Sequence, residues 1–268
     1  MLRKKSKVVD VGKIIALHSY KGGTGKTLLS INLAAMYANR WESVGLLDLD
    51  FRAPSLHAAF KTNSTEYWLN DYLNGACEIK KVLIDLTQAY SGKGRFLVGL
   101  ANPTTEAIRE MLANDRKWEM KALGRLLSLK ASLLNDMQLD YVILDTSPGL
   151  QYSSINAIVS ADVVLVITSM DASDIQGTQR MIHELYELFN KKTALIINKV
   201  PIEIQSSETE RKKLSKQLIT AYDLPLLDMI PCFCDILRAG GTQIFATERL
   251  DHPLVKILEG IATKIGHF

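Results

Sequence analysis

A chain of 268 residues, 47% of them hydrophobic, is long and apolar enough to bury a substantial core as one α/β domain. Its formal net charge of +3 is too small to demand a nucleic-acid partner, although a clustered basic patch is compatible with one. Three cysteines, Cys77, Cys232 and Cys234, exclude an even-numbered disulfide framework and read as a cytosolic chain, and no run of 18 or more apolar residues is present to span a membrane.

Residues 1–12 read as a short solvated arm carrying Arg3, Lys4, Lys5 and Lys7. It does not read as a signal peptide, because the apolar run that follows is a first strand leading straight into a glycine-rich turn. From 13 to 268 a single domain is expected, in which strands alternate with helices. The strands read at 13–19, 44–49, 95–98, 141–145, 162–168, 193–198 and 226–230. Helical patterns lie near 26–40, 67–75, 105–114, 117–136, 151–160, 175–190, 207–222 and 253–265. Continuous apolar runs such as Val163-Val164-Leu165-Val166-Ile167 suit strands buried on both faces. The fold class expected is α/β: a doubly wound, mostly parallel sheet flanked by helices, binding its ligand at the carboxyl ends of the strands.

The stretch Tyr20-Lys21-Gly22-Gly23-Thr24-Gly25-Lys26-Thr27 follows the first strand and precedes a helical pattern that opens on Leu28. Strand, glycine-rich turn and helix are the context of a phosphate-binding Walker A loop. Glycines 22, 23 and 25 let successive N–H groups curl round phosphate oxygens at a helix N-terminus. Lys26 is placed to reach the β- and γ-phosphates, and the Thr27 hydroxyl to hold Mg²⁺.

The second lysine, Lys21, and the tyrosine in place of the loop's usual first glycine set this motif apart. The K-G-G-x-G-K-T form resembles the deviant Walker A ATPases, the family of MinD, ParA, the nitrogenase iron protein and the arsenite-pump ATPase. The resemblance implies that Lys21 crosses a dimer interface to the partner's nucleotide. An arginine finger acts in the same way and raises GTPase rates roughly 10³–10⁵-fold. It implies an ATP-dependent homodimer, with ATP and Mg²⁺ as ligands and a partner protein that accelerates slow hydrolysis.

Further motifs fit that family. Asp48 and Asp50, at i and i+2 after the second strand, resemble its switch I, with Asp50 positioning water near Mg²⁺ and Asp48 supporting the loop. Val142-Ile143-Leu144-Asp145 reads as a Walker B strand whose Asp145 holds Mg²⁺ through water. Gly149 matches the switch II glycine whose N–H senses the γ-phosphate. At Asn198-Lys199-Val200-Pro201 the guanine-reading N-K-x-D pattern fails, because position 201 is proline. The resemblance instead turns Asn198 toward an adenine ring and makes Pro231 and Cys232 part of a second adenine loop.

Three uses compete: a dimerising MinD/ParA-type switch that positions DNA, division machinery or other cargo; a bacterial-type tyrosine kinase, suggested by Asp48 to His57; and a metal-cluster carrier using Cys232 and Cys234. The kinase reading lacks a terminal tyrosine cluster, since the last tyrosine is Tyr222, and the carrier reading lacks a C-x-x-C pair. The switch is the reading adopted, in a cytoplasmic protein recruited to the nucleoid or the inner membrane surface. Basic groups at Arg211, Lys212, Lys213 and Lys216, and at Lys117, Lys121 and Arg125, would make weak non-specific DNA contacts. Membrane contact is expected less, because the apolar stripe of 253–265 suits docking on the sheet.

Overall fold

The computed structural model describes residues 12–62, 65–90, 92–240 and 243–268, so the basic arm expected at 1–12 lies almost wholly outside the described residues. The strands are β1 (Lys13–His18), β2 (Val44–Leu49), β3 (Leu83–Asp85), β4 (Phe96–Gly99), β5 (Tyr141–Thr146), β6 (Val163–Thr168), β7 (Lys192–Val200) and β8 (Leu226–Pro231). They form one sheet in the order β3-β4-β2-β5-β1-β6-β7-β8, parallel throughout except where β3 runs antiparallel to β4. The seven expected strands are all present. β3 is the addition: three residues at the sheet edge, too short to leave an apolar run.

The longer helices are α1 (Lys26–Asn39), α2 (Thr105–Ala113), α3 (Arg116–Leu129), α4 (Tyr152–Ser160), α5 (Ala172–Met181), α6 (Glu208–Tyr222) and α7 (Pro253–Gly266). Two of them differ from expectation. The helix read at 117–136 widens into π-type turns over Lys130–Asp136, and α5 begins at Ala172, because the Asp171 carboxylate caps it by accepting from the N–H groups of Ser173 and Asp174. A second π-type stretch, Ile182–Tyr186, extends α5.

β5 and β6 are buried on both faces, and separate cores line the two sides of the sheet. α1 and α7 cover one side, burying Leu29, Leu33, Leu254, Leu258, Ile261 and Ile265. α3 to α6 pack on the other side through Leu126, Ile158, Met181 and Leu218. The stripe of 253–265 is therefore core. β1 lies between β5 and β6, so the turn that follows it opens at the carboxyl edge beside Asp145.

Candidate nucleotide-binding site

In the loop from Ser19 to Gly25, Gly23 and Gly25 hold left-handed backbone that a side chain would strain. Gly25 has φ +100°, and a Cβ there would come within 2.4 Å of the Asn198 Nδ2. Asn198 lies close because its Nδ2 donates to the Thr24 carbonyl at 2.7 Å, while its Oδ1 accepts the Lys199 N–H at 2.9 Å. Lys199 adopts φ +59° and its Nζ donates to the Gly23 carbonyl at 2.7 Å. Two neighbouring residues at the end of β7 thus tie down consecutive loop carbonyls, leaving the loop N–H groups free of those ties.

Lys26 begins α1, is buried, and donates to the Ser19 hydroxyl at 2.8 Å. Burial pushes its ammonium down in pKa, and Asp145, Asp50 and Asp174 pull it back, so these carboxylates surround it. Asp145 is fully buried at the end of β5 and its Oδ1 accepts the Ser30 hydroxyl at 3.0 Å. Its Oδ2 is buried with no hydrogen-bond partner of good geometry. Burial raises this carboxyl to about 6, against the pull of the Thr27 hydroxyl, Lys26 and Ser30.

Asp50 sits just past β2, half-buried, its Oδ1 accepting the Ser147 hydroxyl at 2.8 Å and the Ala53 N–H at 3.2 Å. Asp48 is fully buried and accepts the N–H groups of Asp50, Ser55 and Leu56, which folds the segment after β2 back on the strand end. Burial, followed by the charge of Asp145, holds its carboxyl well above the ordinary range. The two acids of the D-x-D pair therefore divide their work: one builds the loop and the other faces Lys26.

Lys21 goes elsewhere. Its ammonium pairs with the Asp171 carboxylate at 2.8 Å and bonds to the Ser173 hydroxyl, at the N-terminus of α5. Gly149 has φ +77° and donates its N–H to the Ser19 carbonyl at 2.9 Å.

Beside the loop, Gly25, Leu28, Asn198, Lys199, Pro231, Cys232, Phe233, Ile236 and Leu237 line a mainly apolar cavity of about 260 Å³. Asn198 lines it, although its amide hydrogen bonds are spent on the loop and on Lys199. The Cys232 N–H is spent too, on the Val200 carbonyl at 2.9 Å. Cys234 is exposed, so the two thiols of the C-x-C have different surroundings.

The nucleotide residues expected from the motifs thus converge on one end of the sheet, with Lys21 alone turned away. Ser19, Ser30, Ser147 and Lys199 were not singled out from the sequence. Ser30 lies one helical turn after Thr27 and Ser147 two residues after Asp145, spacings that would have pointed to both. The basic groups are less free than expected. Arg211 pairs with Asp228 at 2.9 Å, Lys212 with Glu208 at 2.6 Å, and the Arg125 guanidinium lies 5.4 Å from the centre of the Tyr72 ring.

A family model described as an AAA domain matches residues 12–199. The chain belongs to that family, as a P-loop ATPase of the MinD/ParA type. It is 28% identical over 253 residues to an uncharacterised ATP-binding protein of Methanocaldococcus jannaschii, covering 94% of this chain and 86% of that protein. It is 26% identical over 260 residues to the septum site-determining protein MinD of Thermotoga maritima, covering 95% and 88%. Its fold matches that of Pyrococcus horikoshii MinD complexed with Mg-ADP at a TM-score of 0.72, with 20% identity over 95% of this chain and 96% of that one. The AAA-domain match ends at Lys199, so the wall formed by Pro231 to Leu237 belongs to the part beyond it.

Proposed function

We propose that this ATPase binds and hydrolyses ATP with Mg²⁺ and works as a homodimeric switch, each copy lending Lys21 to the other. One observation carries the dimeric part: within a single chain Lys26 stays in the phosphate loop, whereas Lys21 is tied to Asp171 outside it. A cation kept so near the loop, yet directed away from it, suits service to a second copy.

In this reading the loop N–H groups and Lys26 hold the β- and γ-phosphates, and the apolar cavity takes the adenine between Leu28, Asn198, Pro231 and Cys232. The unpartnered, fully buried Oδ2 of Asp145, beside Thr27, fits a divalent cation. Thr27, Asp145 and Asp50 would hold Mg²⁺ directly or through water, and the ion would neutralise phosphate charge during transfer. Asp50, fixed by Ser147, orients the attacking water. Gly149 turns its N–H from the Ser19 carbonyl to the γ-phosphate, so that switch II distinguishes ATP from ADP and changes partner affinity accordingly.

Tyr222 is buried, which does not suit it as a phosphate acceptor in the kinase reading. The cargo surface is proposed as DNA or an anionic membrane, approached from the cytoplasm. Among the described residues no helix is long and apolar enough to cross a membrane. Light scattering with ATP, ADP or no nucleotide tests the dimer, and turnover per chain should rise with protein concentration. A monomer that hydrolyses ATP at a concentration-independent rate would refute the shared lysine. Co-sedimentation with DNA and with anionic vesicles, each with ATP or ADP, assigns the surface.

A further inference from the structure

His18 is the last residue of β1, is fully buried, and has no part in the nucleotide site as described. Its Nε2 lies 2.9 Å from the Gly149 carbonyl oxygen and its Nδ1 2.5 Å from the Tyr186 hydroxyl. Burial, resisted by the Gly149 carbonyl and reinforced by Lys26, holds the imidazole down to about 3, so it is neutral near pH 7. A neutral imidazole has one N–H. A carbonyl oxygen only accepts, so the proton sits on Nε2. Nδ1 is then an acceptor, and the Tyr186 hydroxyl must donate to it. The relay runs in one direction, from Tyr186 through His18 to Gly149.

Gly149 is thereby held on both sides: its N–H by the Ser19 carbonyl and its C=O by His18. These two grips differ in what a nucleotide does to them. A γ-phosphate competes for the N–H, whereas nothing on ATP competes for the carbonyl. The carbonyl grip can persist while the preceding peptide turns.

Helix α5 supports the arrangement along its length. Asp171 at its start holds Lys21, Tyr186 in its extension holds His18, and between them a Cβ on Gly177 would come within 2.0 Å of the Tyr20 ring. His18, Tyr20 and Lys21 thus lie against one helix.

We propose that His18 is a positioning residue for ATP hydrolysis: it is the fixed pivot about which Gly149 swings to the γ-phosphate, and the Tyr186 hydroxyl, donating to Nδ1, anchors the ring that makes the pivot. The proposal rests on the ATPase reading above. The test compares His18→Gln, whose amide reaches about as far as Nε2, with His18→Asn, whose amide reaches only the Nδ1 position. Turnover, KM for ATP, melting temperature and amide hydrogen exchange over 149–152 are read in the full chain.

With one buried hydrogen bond lost, His18→Asn should cut kcat about tenfold with KM changed less than about twofold, and speed exchange over 149–152 by about tenfold. His18→Gln should keep at least about a third of wild-type turnover and near-native exchange, because it restores that bond. A merely structural His18 would make both variants follow their melting temperatures. Equal turnover in the two variants, or unaltered exchange in His18→Asn, overturns the pivot. If His18→Asn does not fold, Tyr186→Phe keeps the ring volume, and its exchange over 149–152 must rise; unchanged exchange overturns the relay. Wild-type protein without ATP turnover would refute the ATPase reading instead, and exchange would then decide the pivot alone.

Discussion

Replacing Asp145 with Asn should make the nucleotide-free protein more stable at neutral pH while abolishing its response to Mg²⁺. The carboxyl is fully buried and raised from 3.8 to about 6. At about 1.4 kcal/mol for each tenfold change in proton affinity, its ionisation costs the fold about 3 kcal/mol. The folded state binds this proton more tightly than the unfolded chain does, so stability falls as pH rises from 3.8 through about 6. The penalty is absent well below that window and complete above it. Asparagine removes the charge and keeps an acceptor for the Ser30 hydroxyl. Asp48 gains as well, since the charge of Asp145 is the second cause of its raised pKa. Urea unfolding in EDTA should therefore show Asp145→Asn more stable than wild type by about 3 kcal/mol at pH 7.5, shrinking below about 1 kcal/mol at pH 4. Mg·ATP at 100-fold over its Kd should then add about 2.7 kcal/mol to the wild type alone. A variant less stable than wild type at pH 7.5, or a gain of equal size at both pH values, would refute the reasoning.

Lys26→Ala should lose nucleotide binding, whereas Lys21→Ala should bind ATP normally but lose turnover and the ATP-dependent dimer; fluorescent-nucleotide titration with phosphate release separates them, and normal turnover in Lys21→Ala would remove the cross-subunit role. Asp50→Ala should bind ATP and dimerise yet hydrolyse at least about tenfold more slowly, since water positioning is lost while the phosphate contacts persist; wild-type turnover rejects that assignment. Gly25→Ala should cost about 2–3 kcal/mol in urea unfolding, from left-handed backbone strain and the displaced Asn198–Thr24 hydrogen bond, and should weaken ATP binding. An unchanged unfolding midpoint would show that the loop relaxes around the new Cβ.

The sheet could be read from the sequence wherever a strand was a continuous apolar run, as in β5 and β6, because a strand buried on both faces has few other compositions open to it. β3 escaped notice because three residues at an edge carry no period. The start of α5 was misplaced because its cap is a carboxylate that the apolar pattern does not register. In the site, the residues contributed by contiguous motifs were legible: loop, D-x-D pair and Walker B strand. Contacts between distant segments were not. Nothing near Lys21 announces Asp171, nothing near His18 announces Tyr186, and nothing near Arg211 announces Asp228, whereas the Glu208–Lys212 pair, four residues apart on one helix, was open to a local reading. Sequence patterns report what each segment needs from its surroundings; they do not report which distant segment supplies it.

The contrast in burial between the two lysines carries a mechanistic consequence. Around Lys26, which is 6% exposed, stand the fully buried carboxylates of Asp145 and Asp174 and the half-buried one of Asp50. Asp174 accepts three hydrogen bonds on Oδ2, from the Thr168 and Ser169 hydroxyls and the Ser169 N–H, while its Oδ1, like the Oδ2 of Asp145, has no partner. One ammonium cannot satisfy this much buried negative charge, so the pocket favours a further cation, and Mg²⁺ arriving with a nucleotide relieves a penalty already present in the fold. Lys21 and Asp171 form the opposite kind of pair, with side chains 41% and 58% exposed. Water screens such a pair, and little is lost when it opens. The interior of the site therefore supplies the drive for ligand binding, while its rim supplies the part that can move. In the proposed dimer, Lys21 would leave Asp171 for the neighbouring copy's phosphate without disturbing the buried charges around Lys26.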